Sequence, residues 1–139
     1  MRGYCDFYSV APSDERLLAL ARALIAEPSC HGEQLIARDE AGMAIGFATL
    51  YWTWSTSRAE PIATLNDLFV SPAARGRRVG ELLIEACLAR CEAHGAAAME
   101  WQTAPDNLTA QALYERVGGR REDWFTYVLE VPPAHGRRV

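Results

Sequence analysis

The sequence predicts an α+β fold: one mixed sheet with helices packed on it. Three observations lead there. Apolar runs of strand length alternate with stretches whose apolar residues recur at helical spacing. Proline, glycine and capping residues fall between these runs rather than inside them. Half of the 139 residues are apolar, enough to build the core of a single domain.

Ser13 before Asp14 and Glu15 reads as a helix start, with a capping hydroxyl and acids in the first turn. The helix spans 14–26, carries Leu17, Leu20, Ala21 and Leu24 on one face, and is stopped by Pro28. A short strand follows at 34–38, then a turn at Glu40-Ala41-Gly42-Met43. Residues 44–54 form a long apolar strand that contains Gly46. Residues 58–61 connect it to a strand at 62–70, which Ser71-Pro72 ends. A strongly apolar helix occupies 79–94, with Val79, Leu82, Leu83, Ala86, Cys87 and Cys91, and Gly95 caps it. Residues 97–103 read as a buried strand. Pro105-Asp106-Asn107 opens a helix that runs to Val117 and closes at Gly118-Gly119. Residues 124–131 read as a final strand, and 132–139 as a loose polar tail of the one domain, 1–139.

Composition narrows the function. The net charge of −4 argues against sequence-independent nucleic-acid binding, which depends on many contacts between cations and phosphates. No apolar run reaches the length of about 18 residues that a membrane span needs. The first residues lack the apolar core of a secretory signal, so a cytoplasmic protein is expected. Cys5, Cys30, Cys87 and Cys91 have no CxxC spacing and read as reduced thiols, with Cys87 and Cys91 packing as small apolar groups. All 14 basic residues are arginine, which excludes lysine chemistry. His31, His94 and His135 are scattered, and no metal is expected.

The chemistry concentrates where the 62–70 strand gives way to Arg75-Gly76-Arg77-Arg78-Val79-Gly80-Glu81. A glycine-rich loop running into a helix can aim successive N–H groups at one point, and the helix dipole adds positive potential there. Gly76 and Gly80 let a phosphate approach the backbone closely. Arg75, Arg77 and Arg78 add guanidinium groups suited to phosphate. A plain helix start with a solvated arginine cluster would look the same in isolation. The loop is neither a P-loop nor a dinucleotide fingerprint, because it lacks the GxxxxGK[ST] pattern and the three spaced glycines.

This run resembles motif A of the GNAT superfamily of N-acetyltransferases, Arg/Gln-x-x-Gly-x-Gly/Ala after a strand. Arg75 matches the first position and Gly80 the last, while Arg78 stands where the family has glycine. Downstream, Asn107-Leu108-Thr109-Ala110-Gln111-Ala112-Leu113-Tyr114-Glu115-Arg116-Val117-Gly118-Gly119 resembles the family's motif B. Order and separation agree, and with Met99-Glu100-Trp101-Gln102-Thr103 the likeness covers roughly 44–131. The nearest branch is that of the small histone and polyamine acetyltransferases.

The resemblance implies a sheet whose two central parallel strands, here 62–70 and 97–103, splay apart. Leu68, Phe69 and Val70 would offer backbone groups to the acetyl carbonyl and pantetheine arm of acetyl-CoA. Arg75, Gly76, Arg77, Arg78, Val79, Gly80 and Glu81 would hold its pyrophosphate. Asn107 would bond the pantetheine arm, and Tyr114 sits where the family places its general acid. Asp67 is the carboxylate beside the expected acetyl site and the candidate base, although many relatives carry an acid at the position of Asn66. Tyr4, Asp6, Phe7 and Tyr8, and Tyr51, Trp52 and Trp54, form aromatic clusters with few charges, and Tyr4, Asp6, Tyr8, Trp54 and Asp67 are candidates for an acceptor wall, since aromatic faces and carboxylates suit a cationic amine. Ordinary core or dimer packing is the competing explanation for those aromatics.

Family members begin with a strand and a full first helix, which this chain lacks, as if ~15–25 residues were missing, the usual length of such a pair. An incomplete sheet edge favours pairing with a second chain, and the resemblance implies a homodimer. The expected activity is acetyl transfer from acetyl-CoA to the primary amine of a small molecule. A protein lysine or N-terminus is the alternative acceptor, and a non-catalytic acyl-CoA-binding module the alternative class. The phosphate loop together with Tyr114 speaks against the module.

Overall fold

The computed structural model describes residues 1–131, so the 132–139 tail lies outside the described residues. Five helices and four strands follow one another: α1 Arg2–Phe7, α2 Asp14–Ala26, α3 Pro28–His31, β1 Gly32–Arg38, β2 Ala44–Ser55, β3 Glu60–Val70, α4 Val79–His94, β4 Met99–Glu100 and α5 Leu108–Arg116. A 3-10 turn at Pro72–Ala74 separates β3 from α4. The sheet order is β1-β2-β3-β4, antiparallel except for the parallel pair β3–β4. The α+β expectation and the mixed sheet hold.

Local chemistry accounts for the well-formed elements. The Ser13 hydroxyl accepts the Arg16 N–H at 3.3 Å and caps α2. Leu24 of its apolar face is buried, and Leu17, Leu20 and Ala21 are half-buried. Gly95 takes the left-handed conformation (φ 75°) and closes α4 with bonds to the Cys91 and Glu92 carbonyls.

The core lies between α4 and one sheet face. Ala48, Leu50, Ala63 and Leu65 meet Val79, Leu83, Ile84, Cys87 and Cys91. Leu50 and Ile84 are almost wholly enclosed, and burial of each contributes about 1.5–3 kcal/mol. Cys87 and Cys91 pack here as small apolar groups, and burial pushes the Cys87 thiol up to about 12. Gly46 permits the close approach of α4 to β2. A Cβ there would stand 2.8 Å from the Phe69 carbonyl oxygen and 3.3 Å from Leu83 Cδ1. The opposite sheet face is covered by the N-terminal segment, where Cys5 of α1 and Leu24 of α2 are buried.

Three expectations need correction. The 97–103 strand shrinks to Met99–Glu100, because only Ala63↔Met99 and Thr64↔Glu100 pair before the two strands diverge. Residues 124–131 form no strand. A strand needs a ladder partner, and two-residue β4 offers almost no edge to pair with. Helices α1 and α3 were not anticipated. Neither has a side-chain cap hydrogen bond, and neither is long enough to display an apolar period.

Candidate active site

The strand divergence creates the site. β3 pairs with β2 along its whole length but with β4 only at Ala63 and Thr64. Ser71 N–H bonds the Ile45 carbonyl at 2.9 Å, and Val70 lies opposite Gly46 in the register. Strand alternation therefore turns the N–H and C=O of Leu68 and Val70 away from β2, toward the gap. The groups of Phe69 point to β2 instead. The Val70 carbonyl accepts Arg75 Nε at 3.3 Å.

The motif A loop closes one end of that gap. Gly76 (φ 75°) and Arg78 (φ 61°) are both left-handed, which wraps the loop before α4 begins at Val79. Arg78 is the N-cap residue, yet no side chain caps the helix, so its first amides stay open. A Cβ on Gly80 would meet Leu113 Cδ2 at 2.9 Å, so glycine lets α5 lie close against this end of α4. The Glu81 side chain is only 8% exposed and accepts from Arg78 Nε at 2.6 Å and Arg116 Nη1 at 2.8 Å. Those two guanidinium groups, Arg78 above all, hold its carboxyl below the usual range. Arg78, Glu81 and Arg116 line a cavity of about 510 Å³ between α4 and α5, floored by Ile84, Leu88 and Val117.

Helix α5 brings the second motif to the gap. Asn107 is its N-cap, with Oδ1 accepting the Ala110 N–H at 3.2 Å. Its side-chain NH2 has no protein partner among the described residues and is free to donate. Tyr114 packs edge-on against Trp101, ring centroids 5.3 Å apart. Burial raises the Tyr114 pKa, and the nearby Tyr8 phenol adds to the shift, so Tyr114 keeps its proton at neutral pH.

Asp67 owes its orientation to a bulge. Thr49 pairs with Asp67 but Leu50 pairs with Leu65, leaving Asn66 as the extra residue of β3. The bulge restarts the alternation. Leu65 and Leu68 both pack on the α4 core, whereas Asp67 and Phe69 face α1. Asp67 is 8% exposed there. Tyr4 stands over this face, 5.8 Å from the Phe47 ring and 6.5 Å from Phe69. Burial first, then the neighbouring Asp67 carboxylate, raises the Tyr4 pKa. Tyr51 is raised by burial and by the same carboxylate. Tyr8 lies 4.9 Å from Tyr4 by ring centroids. A row of Asp67, Tyr4, Tyr8 and Tyr114 thus runs from the α1 face of the sheet to α5.

Two expected acceptor residues are not brought to this row. Trp54 is paired with Pro61, five positions along β2 from Thr49 or about 17 Å, and is 73% exposed. Asp6 is exposed, two residues from Tyr4 and so on the other side of α1. Phe7 and Tyr51, of the expected aromatic clusters, join instead, together with Arg116, for which no role was expected. Phe7 stacks under the Arg75 guanidinium at 5.8 Å, Tyr51 faces Asp67, and Arg116 grips Glu81. Arg116 lies inside motif B, but its role depends on how α5 meets α4, which no local pattern encodes.

A parallel strand pair that opens beside an uncapped helix start, with Tyr114 to one side and the buried Asp67 to the other, is the arrangement that the likeness to motifs A and B implies for an acyl-CoA-dependent transferase. Comparison with known proteins agrees. A profile of the Acetyltransferase (GNAT) family matches residues 2–119, and the chain belongs to that family. It is 34% identical over 130 residues to YhfO of Bacillus subtilis, an uncharacterized N-acetyltransferase, covering 93% of this chain and 85% of that one. It is 38% identical over 78 residues to the D-amino-acid N-acetyltransferase HPA3 of Saccharomyces cerevisiae, covering 56% of this chain and 48% of that one. The solved structure of AAC(6')-Iy in complex with the bisubstrate analogue CoA-S-monomethyl-acetylneamine superposes with a TM-score of 0.73 at 26% identity, over 86% of this chain and 81% of that one.

Proposed function

We propose that the protein transfers the acetyl group of acetyl-CoA directly to the primary amine of a small molecule, within a ternary complex. The observation that carries this is the opening of β3 from β4 between the Asp67–Tyr4 pair and Tyr114. Leu68 and Val70 N–H groups bond the acetyl carbonyl and stabilise its developing oxyanion. The Asn107 NH2 donates to the pantetheine arm. The Arg75–Glu81 loop and the open amides of α4 hold the pyrophosphate. Asp67 takes a proton from the ammonium, and the freed amine attacks the thioester carbon. That attack forms the C–N bond; collapse of the oxyanion then breaks the C–S bond, and the leaving thiolate takes the Tyr114 proton. The proton that the new amide nitrogen sheds restores the phenol.

Tyr4, Tyr8 and Tyr51 make the acceptor wall. An aromatic wall over a buried carboxylate suits a compact cation better than a peptide backbone, which brings many amides that need partners. The relatives HPA3 and AAC(6')-Iy support small acceptors, since the first is named for D-amino acids and the second is bound to an acetylneamine conjugate. We also place the protein in the cytoplasm, because its cysteines are unbridged. The partner is a second copy of the chain. Trp124, Phe125, Tyr127, Val128, Leu129 and Val131 are each more than three-quarters exposed, and Gln102 Nε2 already reaches Thr126 Oγ1 at 2.7 Å beside β4. The net charge of −4 disfavours nucleic acid and an anionic membrane surface as partners, and no helix of the described residues is long and apolar enough to cross a membrane.

Bisubstrate conjugates test the acceptor class. CoA joined through an acetyl bridge to a small amine is expected to bind at least tenfold more tightly than CoA, because both halves are engaged at once. Tight binding only of a CoA–peptide conjugate would contradict the small-amine acceptor.

A further inference from the structure

Arg78 breaks the motif A pattern by placing a side chain at a left-handed position, where glycine is at ease. Its guanidinium spends only Nε on Glu81. The two terminal nitrogens have no protein partner among the described residues, and the side chain is 72% exposed. Glu81, by contrast, is enclosed and also held by Arg116 from α5. One carboxylate between two guanidinium groups leaves a net charge of +1. Without Arg116, Glu81 would cancel the charge of Arg78 and leave the first turn of α4 with no net positive side-chain charge for an anion.

Resting on the acyl-CoA site proposed above, we propose that Glu81 and Arg116 are positioning residues that aim the free end of Arg78 at a phosphate of acetyl-CoA. The loop thereby gains a side-chain phosphate donor beside its backbone amides. Arg78 bridges Glu81 through Nε and the phosphate through its terminal nitrogens, a fork that lysine cannot reproduce. Arg116 acts without touching the cofactor, by neutralising Glu81 and fixing it in place. The same contact ties the motif A loop to the helix that carries Asn107 and Tyr114.

The test compares Arg78→Gly, Arg78→Lys, Arg116→Ala and Arg116→Lys with the wild-type chain, by acetyl-CoA titration and steady-state kinetics. Glycine accepts the left-handed backbone freely, so Arg78→Gly keeps the fold. Arg78→Gly and Arg78→Lys are expected to weaken acetyl-CoA binding and raise its KM about tenfold, the worth of one charge-assisted pair, while kcat falls much less. Arg116→Ala should weaken binding similarly, and Arg116→Lys should recover part of the loss. Adding Glu81→Gln to Arg116→Ala should also recover affinity, because it leaves the positive charge of Arg78 uncancelled. A merely structural brace predicts the opposite pattern: lower thermal stability for Arg116→Ala, and wild-type acetyl-CoA affinity in Arg78→Gly. That wild-type affinity in Arg78→Gly overturns the inference. A wild-type chain that binds no acetyl-CoA would overturn the acyl-CoA site itself, which is a separate result.

Discussion

Asn66 decides what Asp67 can do. As the extra residue of a bulge, it sends the next side chain under α1 instead of into the α4 core. Asp67 therefore meets Tyr4 and Tyr51 rather than Leu83, and a buried carboxylate is placed where an ammonium could be deprotonated. Replacing Asp67 by Asn keeps the shape and removes the base. The expected outcome is a 10²- to 10⁴-fold loss of kcat, about the usual worth of general base catalysis, with acetyl-CoA affinity near normal. Tyr114→Phe should also slow turnover and spare acetyl-CoA binding, as read by kinetics beside titration. Because burial raises the Tyr114 pKa, the phenol stays a donor through neutral pH and loses its proton above the ordinary tyrosine range. Any alkaline loss of kcat that comes from this phenol should therefore disappear in Tyr114→Phe.

At the scale of elements, Gly46 sets the spacing of helix and sheet. Gly46→Ala should cost about 1–3 kcal/mol, because the new methyl meets the Phe69 backbone and Leu83 together and neither can withdraw freely. Thermal or denaturant unfolding reads this directly, and unchanged stability would show that α4 can slide. Legibility in the sequence follows the same physics. Helices α2 and α4 could be read to the residue, because Ser13 and Gly95 are true caps and the periods between them are unbroken. The loop before α4 was legible as a turn into a helix, but its phosphate role came from the joint likeness of motif A and motif B, since a solvated arginine cluster would look the same in isolation. The gap was readable only by family likeness, since nothing in 97–103 says that pairing stops after Glu100. The acceptor side was the least legible. Trp54 and Tyr51 look alike as aromatics on one strand, but the register puts only Tyr51 by Asp67. The bulge at Asn66 has no sequence mark, and α1 is too short to show a period.

The whole molecule has one sheet end that does not close. The 124–131 segment has the composition of a strand and six large apolar side chains in water. A second copy supplies the missing edge if these segments meet beside β4. Sedimentation of the full chain is expected to give a dimer, and Tyr127→Asp with Leu129→Asp a monomer. A wild-type monomer at all concentrations would contradict the dimer. The row Asp67, Tyr4, Tyr8, Tyr114 joins two sheet faces through α1, so the proposed acceptor site belongs to the fold as a whole and not to one motif.

Thiol release from acetyl-CoA, measured with the full chain over a panel of small primary amines and peptides, tests acetyl transfer to a small amine most directly. The structure predicts release that depends on at least one small amine, saturates with it and is lost in Asp67→Asn. Release with peptides alone, or none above the rate without acceptor, would contradict it.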